Sequence, residues 1–354
     1  MIGIAVVGYG YWGPNLVRNF WDTPGARLVS VCDLRPERLA GVQVRYPAVE
    51  VTTDYAAVLK DPRVDAVAIA TPVSSHFDLA MRALQAGKHV FVEKPIAPTT
   101  EQAQRLVDEA DRRGLVLAVD HTFVYTGAVR KMRELVEDGL GDVYYYDSVR
   151  VNLGLFQHDV SVLWDLAVHD LSIMDYLLPA QPVAVSATGV AHIEGEPENI
   201  AYLNLQFESN LIAHIHVNWL APVKVRRTLL GGSRRMVVYD DLEPSEKIKV
   251  YDKGITLNGD PRKNDEKIYQ MRVSYRTGGM WAPKLDMTEA LSVELKEFVA
   301  AINEKRPPIA DGHAGLRVVR ILEAATESMR AHGRVIPLTP ISTERRQPMT
   351  MAAR

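Results

Sequence analysis

A glycine-rich segment near the first residue restricts the possible folds more than any other feature. Residues 8–13, Gly8-Tyr9-Gly10-Tyr11-Trp12-Gly13, have the form GxGxxG and directly follow a short apolar run that predicts a β-strand. Glycines at this spacing allow a tight turn, a close approach of the backbone to a pyrophosphate, and close packing of the next helix on the strand. The N-terminus of that helix attracts an anion. The segment predicts a dinucleotide-binding βαβ unit, and a glycine-rich turn without a ligand is the alternative.

An acidic residue at the end of the next predicted strand supports dinucleotide binding. Asp33 lies 20 residues after Gly13, where a carboxylate can hold the ribose hydroxyls of an adenosine. Because this carboxylate would repel a 2′-phosphate, we expect NAD as the cofactor. Arg35 could still accommodate a phosphate, which keeps NADP as the alternative.

The hydrophobic pattern divides the chain near His121. The first 121 residues alternate short β-branched runs with longer amphipathic stretches, which is typical of a doubly wound parallel sheet. Beyond them, long segments alternate apolar and polar residues, which indicates antiparallel strands with one buried face. In the segment 142–153, one face carries Val143, Tyr145, Val149, Val151 and Leu153, and the other carries Tyr144, Tyr146, Ser148, Arg150 and Asn152.

Composition narrows the possible environments and partners. Apolar residues make up 47% and charged residues 24%, as in an average globular protein, and a formal charge of -3 gives no basic surface for nucleic acid. We find no signal peptide and no apolar run of about 18 residues, so we expect no membrane association. A single cysteine, Cys32, fits the reducing cytoplasm. We expect no metal, because His214 and His216 share a strand face without a third ligand.

Ligands of an open α/β sheet bind beyond the carboxyl ends of its strands. Three predicted strands end at Thr71-Pro72, at Glu93-Lys94-Pro95 and at His121. Further along, Asp165 and His169 are four apart in a predicted amphipathic helix and share a face, so the carboxylate could orient an imidazole that acts as a general base. Each feature also has a purely structural interpretation. Pro72 and Pro95 could be turn prolines, and Glu93 and Lys94 an exposed charge pair. Asp165 and His169 could form a helix cap or a salt bridge.

Together these motifs resemble the Gfo/Idh/MocA oxidoreductases, and within them the bacterial sugar-nucleotide dehydrogenases. The resemblance covers residue 1 to about Leu338. It rests on GYGYWGPN at the start, TPVSSHF from Thr71, EKP from Glu93, HTF from His121 and WDLAVHD from Trp164. It implies that Lys94, Asp165 and His169 form a catalytic set, and that the proline after the lysine is commonly cis.

The resemblance also implies an architecture. We expect an α/β protein with an N-terminal doubly wound Rossmann domain (1–121) and a C-terminal α/β domain with a large, mostly antiparallel open sheet (122–338). A polar tail (339–354) follows. The open face of the sheet often joins subunits in this family, so a homodimer or homotetramer is expected.

The predicted site has a cofactor part and a substrate part. Cofactor contacts are expected at Gly8, Gly10, Tyr11, Trp12, Gly13, Asp33, Arg35, Thr71, Pro72, His76, Glu93 and Lys94. Substrate contacts are expected at Lys94, Tyr125, Arg150, Asn152, Asp165 and His169. In the implied mechanism His169 accepts the hydroxyl proton, Lys94 stabilises the oxygen, and Asp165 orients the base.

The expected substrate is a nucleotide-linked hexosamine or its uronate, oxidised at the 3-hydroxyl. A free polyol such as an inositol, a glycosidase reaction with bound NAD, and a sugar-sensing regulator remain alternatives. Candidate ligands for a diphosphate are Arg150, Arg226 and Arg227. Residues 124–128 and the triplet 289–291 depart from the Asn-Pro and Glu-Pro-Leu that the family favours, and the first departure lies near the expected sugar pocket.

Overall fold

The computed structural model describes residues 1–154, 160–257 and 273–339. The first part of the chain forms a six-stranded parallel sheet with the order β3-β2-β1-β4-β5-β6. Its strands are β1 (Ile2–Val7), β2 (Ala26–Cys32), β3 (Glu50–Thr52), β4 (Ala66–Ile69), β5 (His89–Glu93) and β6 (Leu117–Asp120). The connecting helices are α1 (Gly13–Asp22), α2 (Pro36–Arg45), α3 (Tyr55–Lys60), α4 (His76–Gln85) and α5 (Thr100–Arg113). The predicted doubly wound Rossmann fold is confirmed.

Local signals in the sequence set the ends of these helices. Helix α2 begins at Pro36, where the missing N–H costs nothing. The Thr99 hydroxyl accepts a hydrogen bond from the Gln102 N–H, 3.2 Å away, and caps α5. The same helix ends at Gly114, whose φ of +64° favours glycine.

A nine-stranded sheet dominates the second part, with the order β16-β13-β12-β11-β7-β10-β9-β8-β17. Its strands are β7 (Val143–Leu153), β8 (Ala184–Val190), β9 (Ile200–Gln206), β10 (Ile212–Asn218), β11 (Leu220–Gly232), β12 (Met236–Asp240), β13 (Ile248–Tyr251), β16 (Met280–Trp281) and β17 (Ile336–Pro337). All neighbours are antiparallel except β7 and β10, which are parallel. A separate antiparallel pair is formed by β14 (Gly254–Leu257) and β15 (Val273–Arg276). The expected mostly antiparallel sheet is confirmed.

Helices cover one face of this sheet. They are α6 (Gly127–Glu137), α7 (Val168–Leu177) and α9 (Gly312–Arg330), and a 3₁₀ turn at Thr122–Tyr125 and a π-helical turn at Leu163–Ala167 lie in the connecting segments. Helix α8 (Ala290–Glu304) packs on the first sheet. None of the helices in the described residues is long and apolar enough to cross a bilayer. Residues 340–354 of the predicted tail lie outside the described ranges.

The buried face of β7 is its more polar one. In β10 the inward residues Ala213, Ile215 and Val217 are fully buried, as their pattern predicts. Their partners on β7 are Tyr146, Ser148 and Arg150. These polar groups can be buried because Asp170 of α7 forms hydrogen bonds with all three of them. The more apolar face of β7 is therefore directed outward.

Both C-terminal helices also pack on the first sheet. Phe298 of α8 meets Phe91 of β5 edge to face, with ring centroids 5.5 Å apart, and Phe20 of α1 completes the cluster. Leu316 and Val319 of α9 join the core on the other side of the sheet. Helix α9 thus packs on both sheets, and residues that follow β5 and β6 lie beside the π-helical turn and α7.

Candidate active site

The turn after β1 leaves no room for side chains at two of its glycines. Gly8 has a φ of +95°, and a Cβ there would lie 2.5 Å from the carbonyl oxygen of Ala70. A Cβ at Gly13 would lie 2.2 Å from the carbonyl oxygen of Gly8. Gly10 and the exposed Tyr11 form the open rim of the turn. Since the turn opens at the β1/β4 switch point of the sheet and leads into α1, its backbone fits a dinucleotide pyrophosphate.

Asp33 is fixed beside this turn. Its carboxylate accepts hydrogen bonds from the backbone N–H of Tyr9 at 2.7 Å and of Arg35 at 2.9 Å. Burial raises the pKa of Asp33, but these hydrogen bonds and the nearby Arg38 outweigh it and lower the pKa, so the group is a carboxylate at neutral pH. This geometry fits the ribose of NAD.

An unpredicted cation lies at the same place. The Arg38 guanidinium is 3.6 Å from Asp33, whereas Arg35 approaches the carboxylate only through its backbone. Arg38 lies in the first turn of α2, five residues after Asp33. This short spacing could have identified it in the sequence as a cation near the Asp33 carboxylate.

The loops after β4 and β5 are tied together by His76. One of its ring nitrogens lies 2.8 Å from the carbonyl oxygen of Thr71 and the other 2.8 Å from that of Pro95. Both nitrogens are engaged and the ring is buried. His76 therefore supports the loops, and a cofactor contact at this residue stays a prediction. Pro72 is exposed at the rim, and the peptide bond between Lys94 and Pro95 is cis.

Lys94 meets Asp165 across the two parts of the chain. The Lys94 Nζ donates to the Asp165 carbonyl oxygen at 3.1 Å and to its Oδ1 at 3.3 Å. The Asp165 Oδ2 accepts from the Trp219 indole N–H, also at 3.3 Å. Side chains of the pair are 20% and 27% exposed. The site is therefore half-buried and still open to a ligand.

Asp165 does not contact His169 as the helical spacing suggested. The chain forms a π-helical turn at 163–167 before α7 begins at Val168, which changes the angular relation of the two residues. No hydrogen bond in the described part of the chain joins them. The carboxylate orients the Lys94 ammonium instead, which corrects the role expected for Asp165.

His169 is a neutral imidazole at neutral pH. Burial, followed by the charges of Lys94 and Arg150, holds its pKa well below the usual range. Its ring packs edge to face on Phe123, with centroids 5.0 Å apart. The Nδ1 atom is buried and has no hydrogen-bond partner among the described residues.

Three carboxyl groups gather beneath Lys94. Glu93, Asp120 and Glu294 come from β5, β6 and α8, and Asp120 accepts hydrogen bonds from the Trp12 indole N–H at 2.7 Å and from the Thr122 hydroxyl. Burial, followed by the charge of Asp120, raises the pKa values of Glu93 and Glu294 well above normal. These shifts favour the protonated form of both glutamic acids. Trp12 and Glu93 were expected cofactor contacts, but Asp120 and Glu294 were missed because only the tertiary fold joins them.

Arg150 belongs to a buried ion pair. Its Nε lies 2.6 Å from Asp170 Oδ2, and the Ser148 hydroxyl donates to the same carboxylate. Of the Arg150 guanidinium nitrogens, only Nη1 has no hydrogen-bond partner among the described residues. Nη1 is therefore the atom through which Arg150 could contact a substrate. Arg226 and Arg227 likewise pair with Asp241 and Asp240.

The other two expected substrate contacts are placed differently. Tyr125 is buried, and its hydroxyl accepts a hydrogen bond from the Ala310 N–H at 3.2 Å. It supports the segment before α9, and a substrate contact of Tyr125 stays a prediction. Asn152 is half-buried on the inward side of β7, two residues beyond Arg150.

Comparisons with known families agree with this architecture. A family model described as "Oxidoreductase family, NAD-binding Rossmann fold" matches residues 2–121. A second, described as "Oxidoreductase family, C-terminal alpha/beta domain", matches residues 133–338.

Three known proteins illustrate the similarity. The UDP-N-acetylglucosamine 3-dehydrogenase of Acidithiobacillus ferrooxidans is 30% identical over 324 residues, which cover 89% of this chain and 93% of that protein. Its solved structure superposes with a TM-score of 0.79 at 27% identity, covering 93% of this chain and 98% of the other. The scyllo-inositol 2-dehydrogenase (NAD(+)) of Bacillus subtilis is 30% identical over 195 residues, 53% of this chain and 56% of that protein. GenD2 from gentamicin A biosynthesis, solved with NAD, has a TM-score of 0.78 at 25% identity, covering 96% and 97%.

Proposed function

Because this chain belongs to the Gfo/Idh/MocA family and is an NAD-dependent oxidoreductase, we propose that it oxidises a secondary hydroxyl of a sugar. The observation that carries the proposal is the Lys94–Asp165 pair, 3.3 Å apart, beside the neutral His169 at the carboxyl ends of the first sheet. Such a site offers a cation for a developing alkoxide and a base for its proton.

The glycine turn and Asp33 would hold the cofactor at the switch point of the sheet. NAD, when bound, supplies the hydride acceptor. Lys94 hydrogen-bonds the substrate oxygen and stabilises its negative charge as the proton leaves. Asp165 and the Trp219 indole keep the ammonium pointing to that position. His169 accepts the proton because its surroundings keep the ring neutral before the reaction.

A relative that is 30% identical over 324 residues favours a nucleotide sugar. The Acidithiobacillus protein is named for the 3-dehydrogenation of UDP-N-acetylglucosamine, and we propose the 3-hydroxyl of a nucleotide-linked hexosamine or its uronate as the substrate of this chain. A free polyol is the second candidate. The three candidate diphosphate ligands, Arg150, Arg226 and Arg227, each form an ion pair with an aspartate and so have less charge to offer a diphosphate, which favours a polyol. The inositol dehydrogenase among the relatives also favours it.

One incubation separates these candidates. The purified protein and NAD are mixed separately with UDP-N-acetylglucosamine and with myo-inositol, and mass spectrometry detects a product two hydrogens lighter. A parallel sample with 2-oxoglutarate tests whether the cofactor is recycled while bound. Oxidised UDP-N-acetylglucosamine supports the first candidate, and oxidation of myo-inositol alone supports the second. No oxidation in either pool counts against both.

The role of Lys94 is tested with two lysine variants. Lys94→Met should lower kcat by about two to four orders of magnitude, in the range of one acid–base or electrostatic group. The affinity for NAD, measured by calorimetry, should change little. Lys60→Met removes an exposed lysine at the end of α3 and is the control. Near-normal turnover of Lys94→Met would remove the lysine from the proposed mechanism.

We further propose that two or four copies of the chain associate through the outer face of the nine-stranded sheet. On this face the Tyr202 ring stacks on His216 at 4.3 Å and Ile212 is 52% exposed. An apolar contact among polar neighbours is typical of subunit interfaces. Sedimentation velocity should show a dimer or tetramer that Ile212→Glu dissociates, and a monomeric wild-type protein would refute this arrangement.

A further inference from the structure

His121 is buried without partners for its polar atoms. The residue directly follows β6, and its side chain is 1% exposed. Neither ring nitrogen has a hydrogen-bond partner among the described residues. Two buried polar atoms without hydrogen bonds lower the stability of the folded state. Such groups are rare in native proteins, and each one needs a structural or a functional explanation.

One side of His121 borders a pocket that opens to solvent. The pocket has a volume of about 470 Å³ and lies between α6, α7 and α9. His121 and Val124 line it together with Ser172 on α7. Its wall also includes Glu134, whose side chain is 63% exposed. A pocket of this size with charged walls is large enough for several water molecules.

His121 also lies near the proposed base. A positive charge on His121 would lower the pKa of His169, so the two rings lie within electrostatic range. Phe123, two residues after His121, touches the His169 ring. Ser172, which lines the pocket, donates its hydroxyl to the His169 carbonyl oxygen at 2.8 Å. His121 thus lies close to both the active site and the pocket.

His169 needs a way to release the proton that it accepts. Burial and the neighbouring cations disfavour its imidazolium form, so the accepted proton has to move on before the next turnover. Its buried Nδ1 is unpartnered among the described residues and lies away from solvent. The substrate and the cofactor would cover the open side of the site during the reaction.

We propose that His121 relays this proton from His169 to water in the pocket. The inference rests on the proposed function, in which His169 is the base. The substrate O–H bond breaks and its proton goes to His169, while the hydride reduces NAD. The proton then passes through His121 to pocket water, so one proton is released for each NADH formed. A neutral imidazole can carry it by accepting at one nitrogen and donating from the other.

The charges around His121 suit this relay. Burial, with the cations Lys94 and Arg317 adding to it, lowers the pKa of His121 to about 4 against the opposing effects of Asp120 and Asp175. The ring is therefore neutral between transfers and does not retain the proton.

A measurement that needs no sugar tests the relay directly. In histidine-labelled protein with NAD bound, NMR follows the exchange of the His169 ring N–H with water at pH 7. His121→Leu fills the position without a proton acceptor and should slow the exchange at least tenfold. Val124→Ala changes the wall of the same pocket and should leave the rate unchanged. An exchange rate in His121→Leu equal to that of wild type would overturn the proposal.

A rescue experiment distinguishes a relay from a structural role. His121→Ala leaves space beside the pocket, and added imidazole should restore exchange in a saturable manner, with no such effect on Val124→Ala. His121→Asn serves if the alanine variant does not fold. Absence of rescue in a folded variant that exchanges slowly would also overturn the relay.

Turnover separates this inference from the proposed function. With UDP-N-acetylglucosamine, His121→Ala should lose about tenfold or more in kcat, keep its KM, and regain rate with imidazole. If wild-type protein does not oxidise this sugar, the proposed substrate fails, while the exchange measurement still decides the relay.

Discussion

The ion pair beneath the active site makes a quantitative prediction. Arg150 Nε and Asp170 Oδ2 are 2.6 Å apart, and the side chains are only 4% and 3% exposed. With an effective dielectric constant of about 20, two unit charges at this separation attract by about 6 kcal/mol. That attraction offsets part of the cost of burying both charges. Asp170→Asn keeps the shape but leaves the guanidinium uncompensated, which should lower the free energy of unfolding by about 3–5 kcal/mol.

A double-mutant cycle isolates the pair. Arg150→Met should cost a similar amount, because the carboxylate would keep the Ser148 hydroxyl but lose its cation. The double variant Arg150→Met/Asp170→Asn buries no unpaired charge. Its loss should therefore be smaller than the sum of the single losses by about 1–3 kcal/mol.

Urea denaturation followed by tryptophan fluorescence gives the four free energies. The exposed pair of Arg227 and Asp240, 3.8 Å apart, provides the control, and Asp240→Asn should cost under about 1 kcal/mol. Additive single losses, or single losses as small as that of Asp240→Asn, would refute the reasoning.

Three further predictions concern the cofactor and the carboxyl cluster. Gly8→Ala should abolish NAD binding in calorimetry, because the new Cβ would meet the Ala70 carbonyl oxygen. The control Gly87→Ala, also at positive φ but in open space, should retain NAD binding. Equal affinities of the two variants for NAD would contradict this. Asp33→Ala should weaken NAD and relax discrimination against NADP; an unchanged NAD affinity, or tighter NADP binding by wild type, would refute the role of Asp33. The raised pKa of Glu294 means that the native state holds its proton more tightly than the unfolded state, so this group loses stabilising effect as the pH rises above about 4.3. The melting temperature of Glu294→Gln, minus that of wild type, should therefore increase from pH 5 to pH 8. A difference that does not change with pH would contradict this.

Local patterns were sufficient for the elements of the first sheet. The strand predicted to end at Glu93-Lys94-Pro95 is observed at His89–Glu93, and the glycine turn after β1 takes the expected place. These features depend on periodicity and caps within a few residues of each position, which a single sequence contains.

The partners of individual side chains were less predictable. Asp165 binds Lys94, 71 residues away in the chain, because the π-helical turn redirects it from His169. β7 turns its polar face inward because Asp170 satisfies Ser148 and Arg150. In both cases a tertiary contact outweighs the local spacing, and no pattern within one segment shows which contact will form.

The ends of the nine-stranded sheet bear on how copies of the chain can associate. The outermost strands, Met280–Trp281 and Ile336–Pro337, have two residues each, and Pro337 has no N–H to donate. In the described ranges, neither end offers a long row of free backbone groups to another strand. Two sheets can therefore meet by their faces but gain little by joining edge to edge, so assembly should stop at a closed particle and not continue into a fibre.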